Sequence, residues 1–100
     1  MRSQSTLIWF GRNESNQSQF SAKVYIASLR GDSVIRQWGA ADIRKRQVEM
    51  RWMRSLTMRY ASPREAAETM RAIVQAKLDK GYERAPRAIS VMLPPRLRRV

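Results

Sequence analysis

Three short runs of bulky apolar and aromatic residues in the first part of the chain predict β-strands. They cover residues 7–10, 20–29 and 33–39. Short runs rich in β-branched and aromatic side chains are typical of strands rather than helices. The polar residues 12–19 predict a loop between the first two strands. The triplet 30–32 predicts a tight hairpin turn, because Gly31 can adopt the positive φ that such turns require.

The stretch 42–61 gives a mixed signal. From position 48 onward most even positions are apolar and most odd positions are polar, a period of two that is typical of a strand with one wet, basic face. We therefore predict strands over 46–53 and 55–61. Residues 43–53 are also rich in good helix formers, so a helix in the first half of this stretch stays an alternative.

A helix over residues 63–80 is the clearest element in the sequence. Ser62 and Glu65 have the spacing of a capping box, and Pro63 occupies the first helical position. Gly81 is suited to end the helix in left-handed geometry, with Tyr82 folding back on the last turn. One stripe along this helix is formed by Ala66, Met70, Ile73, Val74 and Lys77.

The order of these elements predicts the fold class. Strands first and a single helix later indicate an α+β fold, a twisted antiparallel sheet of about four to five strands covered by one α-helix. We place the domain at residues 7–84, after a flexible N-terminus over 1–6. Residues 85–100 form a basic tail rich in proline and arginine, in which 89–93 could be a short edge strand or dock on the core.

Composition narrows the function classes. A chain of 100 residues is the size of one small domain. Without Cys or His it has no disulfide, no thiol nucleophile, no imidazole base and no His-based metal site. The sequence therefore predicts a protein that is not an enzyme and holds no cofactor. No apolar run is long enough to span a membrane and no leader pattern is seen, so a cytoplasmic location is expected.

The charge balance predicts an anionic partner. The chain has 20 Lys and Arg against 8 Asp and Glu, a net charge of +12. Basic stretches with interleaved aromatic residues suit nucleic acid, since phosphates attract the cations and bases stack on the rings. The alternative is that this basic stretch is only a solvated sheet face without a partner. An anionic membrane surface is a less favoured partner, because the helix carries acidic residues as well as basic ones. The cations concerned are Arg36, Arg44, Lys45, Arg46, Arg51, Arg54 and Arg59.

Trp38 and Gly39 form a second candidate. A glycine after a strand allows a sharp turn or the close approach of another backbone. A tryptophan at that corner could stack on a base or sugar, or it could be a core anchor. The arginines of the tail are a third candidate, either as an arm along phosphates or as a solvated end. They are Arg87, Arg96, Arg98 and Arg99.

Four segments in the right order resemble the WGR domain family. Residues 31–39 are similar to its signature segment, 23–26 to the preceding strand, 62–66 to the start of its helix and 77–82 to its closing K-x-x-x-G-Y. The resemblance covers about residues 7–84. It implies a compact antiparallel sheet with one helix, often found as a small stand-alone bacterial protein.

The resemblance also implies a function. In DNA-damage-dependent poly(ADP-ribose) polymerases the similar domain binds DNA near strand ends through the signature Trp and Arg. Trp38 matches the stacking residue, whereas Ala40 stands in the place of the arginine. The usual glycine turn is replaced by residues 41–46, whose cations could supply the missing charge.

These observations predict a non-enzymatic module that binds nucleic acid, with DNA favoured over RNA. Its contact residues would be Arg36, Trp38, Gly39, Arg44, Lys45, Arg46, Arg51 and Arg59. The alternative is a protein-interaction module for an acidic partner, in which Trp38 belongs to the core. The sequence does not indicate an oligomeric state.

Overall fold

One curled sheet and one helix make up the architecture. The computed structural model describes residues 3–12, 20–44, 47–86 and 90–94. The described residues form β1 (Ser3–Arg12), β2 (Phe20–Arg30), β3 (Ser33–Arg44), β4 (Gln47–Met50), β5 (Arg54–Arg59), α1 (Pro63–Asp79), β6 (Glu83–Arg84) and β7 (Ser90–Met92). The predicted α+β class is confirmed, although these seven strands exceed the four to five that were expected.

The sheet is built around the long hairpin of β2 and β3. Its order is β6-β1-β2-β3-β4-β7, and β5 also pairs with β3. The turn of the hairpin has Gly31 at φ +58°, as the sequence predicted. All pairs are antiparallel except β4 with β7, so the prediction of a wholly antiparallel sheet is wrong. The sheet curls into a half-barrel.

The curled sheet buries side chains on both of its faces. Leu7 and Ile8 are neighbours in β1, point to opposite faces, and are both fully buried. One face packs against α1 in a first cluster of Leu7, Tyr25, Ala27, Val34, Ala66, Met70 and Val74. The other face forms a second cluster of Ile8, Ala22, Val24, Ile26, Ala41, Val48 and Met50. The two clusters hold the central strands rigidly between them.

Several strands extend beyond their predicted bounds. The prediction ended the third strand at Gly39, but β3 continues to Arg44 because Ala41 and Ile43 pack into the second cluster. β1 begins at Ser3, within the segment predicted as a flexible N-terminus. β7 lies in the predicted tail and pairs with β4 at the edge of the sheet. These pairings join segments that are distant along the chain.

A β-bulge separates β4 from β5. Trp38 lies opposite Arg54, whereas Ala41 lies opposite Met50, so two residues of β3 face the three residues 51–53. The extra residue shifts the side chains that follow to the opposite face of the sheet. The helix alternative for 43–53 is therefore wrong, and the predicted strand over 46–53 is confirmed only for Gln47–Met50.

The helix begins and ends where the sequence predicts, to within one residue. The Ser62 hydroxyl accepts a hydrogen bond from the backbone N–H of Glu65 at 3.1 Å, which caps the first turn. At the other end Gly81 has φ +106°, and the N–H of Tyr82 donates to the carbonyl of Lys77 at 3.1 Å. These caps fix Tyr82 beside the last turn of α1.

Both caps contribute measurably to stability. Ser62→Ala removes the acceptor at the N-cap and should lower the free energy of unfolding by about 1 kcal/mol. Gly81→Ala places a β-carbon in left-handed backbone and should cost about 1 kcal/mol as well. Urea unfolding followed by circular dichroism measures both. An unchanged midpoint in both variants would contradict the caps described above.

Candidate functional site

A cleft opens beside the bulge. It has a volume of about 310 Å³. Lys23 and Ala40 enter it from β2 and β3, where they lie directly opposite each other. Its lining consists of Lys23, Val24, Trp38, Gly39, Ala40, Trp52 and Tyr82. β2, β3, the bulge and the segment after α1 thus bring two tryptophans, a tyrosine and a lysine to one place.

Trp38 contributes both to the core and to the cleft. It lies opposite Tyr25, on the helix side of the sheet, and packs half-buried against the first cluster. The rest of the side chain lines the cleft. Trp38 and Gly39 lie within β3, which continues to Arg44, so the turn predicted after Trp38 is wrong. Trp38 is thus anchored in the core and also has a surface at the cleft, while its stacking role stays a prediction.

Gly39 allows the bulge to pack closely against β3. A β-carbon at Gly39 would lie 1.9 Å from the carbonyl oxygen of Trp52. The N–H of Arg51 donates to the carbonyl of Ala40 at 2.8 Å, which fixes the start of the bulge. The prediction that Gly39 permits a close backbone approach is confirmed, and this approach places Trp52 at the cleft.

Trp52 is the more accessible of the two tryptophans at the cleft. It is 42% exposed. The guanidinium carbon of Arg54 lies 5.7 Å from the centroid of the Trp52 ring, within the range of a cation–π contact. An exposed ring with a neighbouring cation offers a stacking surface beside a positive charge.

Further cations lie close to aromatic rings in or next to the cleft. The rings of Tyr25 and Tyr82 meet edge to face with centroids 6.5 Å apart. The ammonium of Lys77 lies 4.7 Å from the Tyr25 centroid and 5.4 Å from the Tyr82 centroid. The Arg36 Nε–H donates to the hydroxyl oxygen of Tyr25. The Lys23 ammonium lies 5.3 Å from the centroid of the Trp9 ring.

The positive charge of this group is not neutralised locally. Within the described ranges, none of the four cations Lys23, Arg36, Arg54 and Lys77 has a carboxylate oxygen within salt-bridge distance. Burial lowers the pKa of Lys77, and the charges of Lys80, Arg36 and Lys23 lower it further. An anion bound beside Lys77 would act in the opposite direction and raise its pKa, because an opposite charge favours the charged form.

Tyr82 stays neutral at physiological pH. Burial raises the pKa of its phenol, and the neighbouring Tyr25 raises it further. A neutral hydroxyl can donate a hydrogen bond to an anion, whereas a phenolate would repel one. Tyr82 therefore adds a polar group to the site without adding negative charge.

The structure separates the predicted contact residues into groups. Arg36, Trp38 and Gly39 lie at or beside the cleft. Arg51 lies 3.6 Å from a carboxylate oxygen of Asp42, and Arg59 lies 3.0 Å from one of Asp32. Arg59 is opposite Ser33, five residues from Trp38 along β3, or about 17 Å away. The Arg59 guanidinium lowers the pKa of Asp32.

The predicted basic run over residues 44–46 is only partly described. Arg44 occupies the last position of β3, opposite Gln47 of β4. Lys45 and Arg46 lie outside the described residues, as do the arginines predicted for the tail at 87, 96, 98 and 99. Their predicted contacts with phosphate stay predictions.

Sequence reasoning did not select Lys23, Lys77 and Tyr82 as site residues. One usable signal was Lys77, a cation at a position of the apolar helix stripe. A cation in such a stripe is half-buried, and it requires a partner of some kind. The alternation along β2 also places Lys23 on the same face as Tyr25. Neither signal shows which side chains of α1 lie next to which side chains of β2 in the folded protein.

Other kinds of site receive no support from the described part of the chain. Over those residues no group of three or more acidic, His or Cys side chains is placed to hold a metal ion. The described helix is too short and too polar to cross a membrane.

No protein-family profile, characterised protein or solved structure matches this chain. The resemblance to the WGR family therefore rests on its sequence segments alone and stays a prediction.

Proposed function

We propose that this protein binds nucleic acid, without catalysis, at the cleft between Trp38, Trp52 and Tyr82. One observation carries the proposal: four cations with no carboxylate partner among the described residues lie in or next to an aromatic cleft. Phosphates supply affinity through such cations, and exposed rings accept bases or sugars by stacking. The net charge of +12 would draw the polyanion to the surface at long range.

Each part of the site has a defined role in this proposal. Lys23, Arg36 and Lys77 hold one stretch of backbone phosphate on the helix side of the sheet, next to the tyrosine hydroxyls. Trp38 and Trp52 offer their rings to a base or sugar at the cleft. Arg54 holds a neighbouring phosphate while it contacts the Trp52 ring. Double-stranded DNA is the first ligand to test, because the resembling domains bind DNA.

The dependence of affinity on salt tests the proposal directly. About four phosphate contacts should give a slope of log K on log salt of about −4 for duplex DNA. Replacing Lys23, Arg36 and Lys77 with glutamine should reduce that slope by about 2–3 units. Fluorescence anisotropy of labelled DNA between low and moderate salt measures both slopes.

A charge-matched variant serves as the control. Arg30, Arg64 and Arg71 are exposed; Arg30 ends β2 opposite Ser33, five residues along β3 from Trp38, and the other two lie on α1 before its last two turns. Their replacement with glutamine removes the same charge and should change the slope by less than about one unit. Equal losses in both triple variants, or a flat salt response of the parent chain, would contradict the proposed site.

The predicted contact of residues 44–46 with phosphate is tested in the same assay. Replacing Arg44, Lys45 and Arg46 with alanine removes three charges beyond the end of the described cleft. If residues 44–46 contact phosphates, the slope of log K on log salt should fall by about 2–3 units in this variant. If the cleft cations alone carry the contact, this variant will match the charge-matched control.

A further inference from the structure

The outer edge of β5 has no partner strand among the described residues. β5 pairs with β3 along Arg54–Arg59 and with no other described strand. All six of its residues are exposed. An open strand edge presents unpaired N–H and C=O groups that can accept an added strand.

The helix side of β5 carries uncovered apolar side chains. Leu56 lies opposite Arg36 and Met58 lies opposite Val34, so both point to the side on which α1 packs. α1 packs mainly against β1, β2 and β3. Leu56 and Met58 are each 43% exposed. The free edge therefore lies next to apolar surface, where an added strand could bury its own apolar side chains.

The charges at the two ends of β5 decide what can pair there. Two copies of this chain would each bring a net charge of +12 to the pair, and β5 itself begins at Arg54 and ends at Arg59. Like charges directly opposite each other destabilise a strand pair. A second copy of this chain is therefore a poor partner, whereas a strand with a carboxylate at each end is a good one.

We propose that the free edge of β5 accepts, in antiparallel pairing, an extended segment of a partner protein with acidic residues at both ends and apolar residues between. The carboxylates would face Arg54 and Arg59, and the apolar side chains would cover Leu56 and Met58. Arg59 already pairs with Asp32, but its side chain is 81% exposed and can meet a second carboxylate. Arg54 is shared with the proposed nucleic-acid site, whereas Leu56, Met58 and Arg59 are not.

A designed peptide provides the probe. The blocked hexapeptide Asp-Val-Thr-Val-Thr-Glu, paired antiparallel, places its acids opposite the two arginines and its valines opposite Met58 and Leu56. Titration followed by amide NMR should shift the signals of residues 54–59. The same peptide with lysine at both ends should bind at least about tenfold more weakly.

Backbone methylation distinguishes strand pairing from simple charge attraction. Alternate amides of an added strand point toward β5, so N-methylation at residues 1, 3 and 5 of the peptide and at residues 2, 4 and 6 should have unequal effects. One methylated peptide should lose binding by about tenfold or more, and the other should keep it. Equal binding of the two would overturn the proposal.

Variants of the protein complete the test. Leu56→Lys with Met58→Lys should abolish the peptide response and leave the melting temperature nearly unchanged, whereas DNA binding should not weaken, since both lysines add positive charge beside Arg36 and Arg54. Phe10→Lys, which changes an exposed apolar residue of β1, is the matched control and should bind the peptide normally. The proposal fails if no binding occurs at millimolar peptide, or if the shifted signals belong to the cleft residues Trp38 and Trp52. It also fails if the chain dimerises through β5, as shown by sedimentation of the parent and the double variant.

Discussion

Replacing Gly39 with alanine is expected to lower the free energy of unfolding by about 3 kcal/mol, at the upper end of the cost of overpacking. The added β-carbon would lie 1.9 Å from the carbonyl oxygen of Trp52 and 2.9 Å from the terminal methyl of Met50. The methionine can move aside, but the carbonyl belongs to the backbone of the bulge. The bulge must therefore open, which also displaces Trp52 from the cleft.

Gly31→Ala is the matched control for this prediction. Gly31 has φ +58° but nothing within 4 Å of an added β-carbon, so only the strained backbone contributes. Its cost should be about 1 kcal/mol. Chemical denaturation of both variants gives the comparison, and anisotropy should show weaker DNA binding for the Gly39 variant alone. Equal costs at the two positions would mean that the bulge does not pack against β3 as described.

Replacing Trp38 with alanine is expected to lower both stability and DNA affinity. The side chain is half-buried against the first cluster, so its truncation should cost about 2–3 kcal/mol of unfolding free energy, less than for a fully buried tryptophan. Loss of one stacking surface should reduce affinity by about 1–3 kcal/mol, which is roughly 5- to 150-fold. Unfolding and binding should be measured on the same sample under conditions in which the variant is folded.

Two further substitutions separate the effects at Trp38. Trp38→Phe keeps much of the packing and a ring, so both losses should be smaller. Trp52→Ala removes an exposed ring from the same cleft, so affinity should fall while stability changes by less than about 1 kcal/mol. If affinity survives in folded Trp38→Ala and in Trp52→Ala, nucleic acid is not held at this cleft.

The local elements of the fold were predictable because their signals are local. The Gly31 turn and the caps at Ser62 and Gly81 follow from residues next to one another in sequence. β6 and β7 were not predictable in this way, because each is short and is stabilised by pairing with a distant strand. The bulge was also missed, because an alternating pattern does not show where a partner strand gains a residue.

The candidate site likewise contains some residues that a local sequence pattern identifies and others that only the folded structure brings together. Arg36 and Trp38 stood out because they alternate on one strand within a recognisable segment. Lys77 and Tyr82 reach the same place from the end of α1 and beyond it, and Lys23 from β2. Their proximity depends on how α1 crosses the sheet, which the order of residues does not specify. Arg59 was selected for its charge, but a neighbouring carboxylate compensates it.

The three-against-two pairing at the bulge makes the chain sensitive to length at this point. Three residues separate Met50 from Arg54, whereas two separate their partners Ala41 and Trp38 on β3. Deleting any one of residues 51–53 would make these two numbers equal. A regular strand running on from β4 would then carry Arg54, Leu56 and Met58 on the helix side, as the bulged strand does, so the pairing of β5 with β3 would be kept. A single codon lost here would remove the bulge that brings Trp52 to Gly39 and to the cleft, although both faces of β5 stayed as they are.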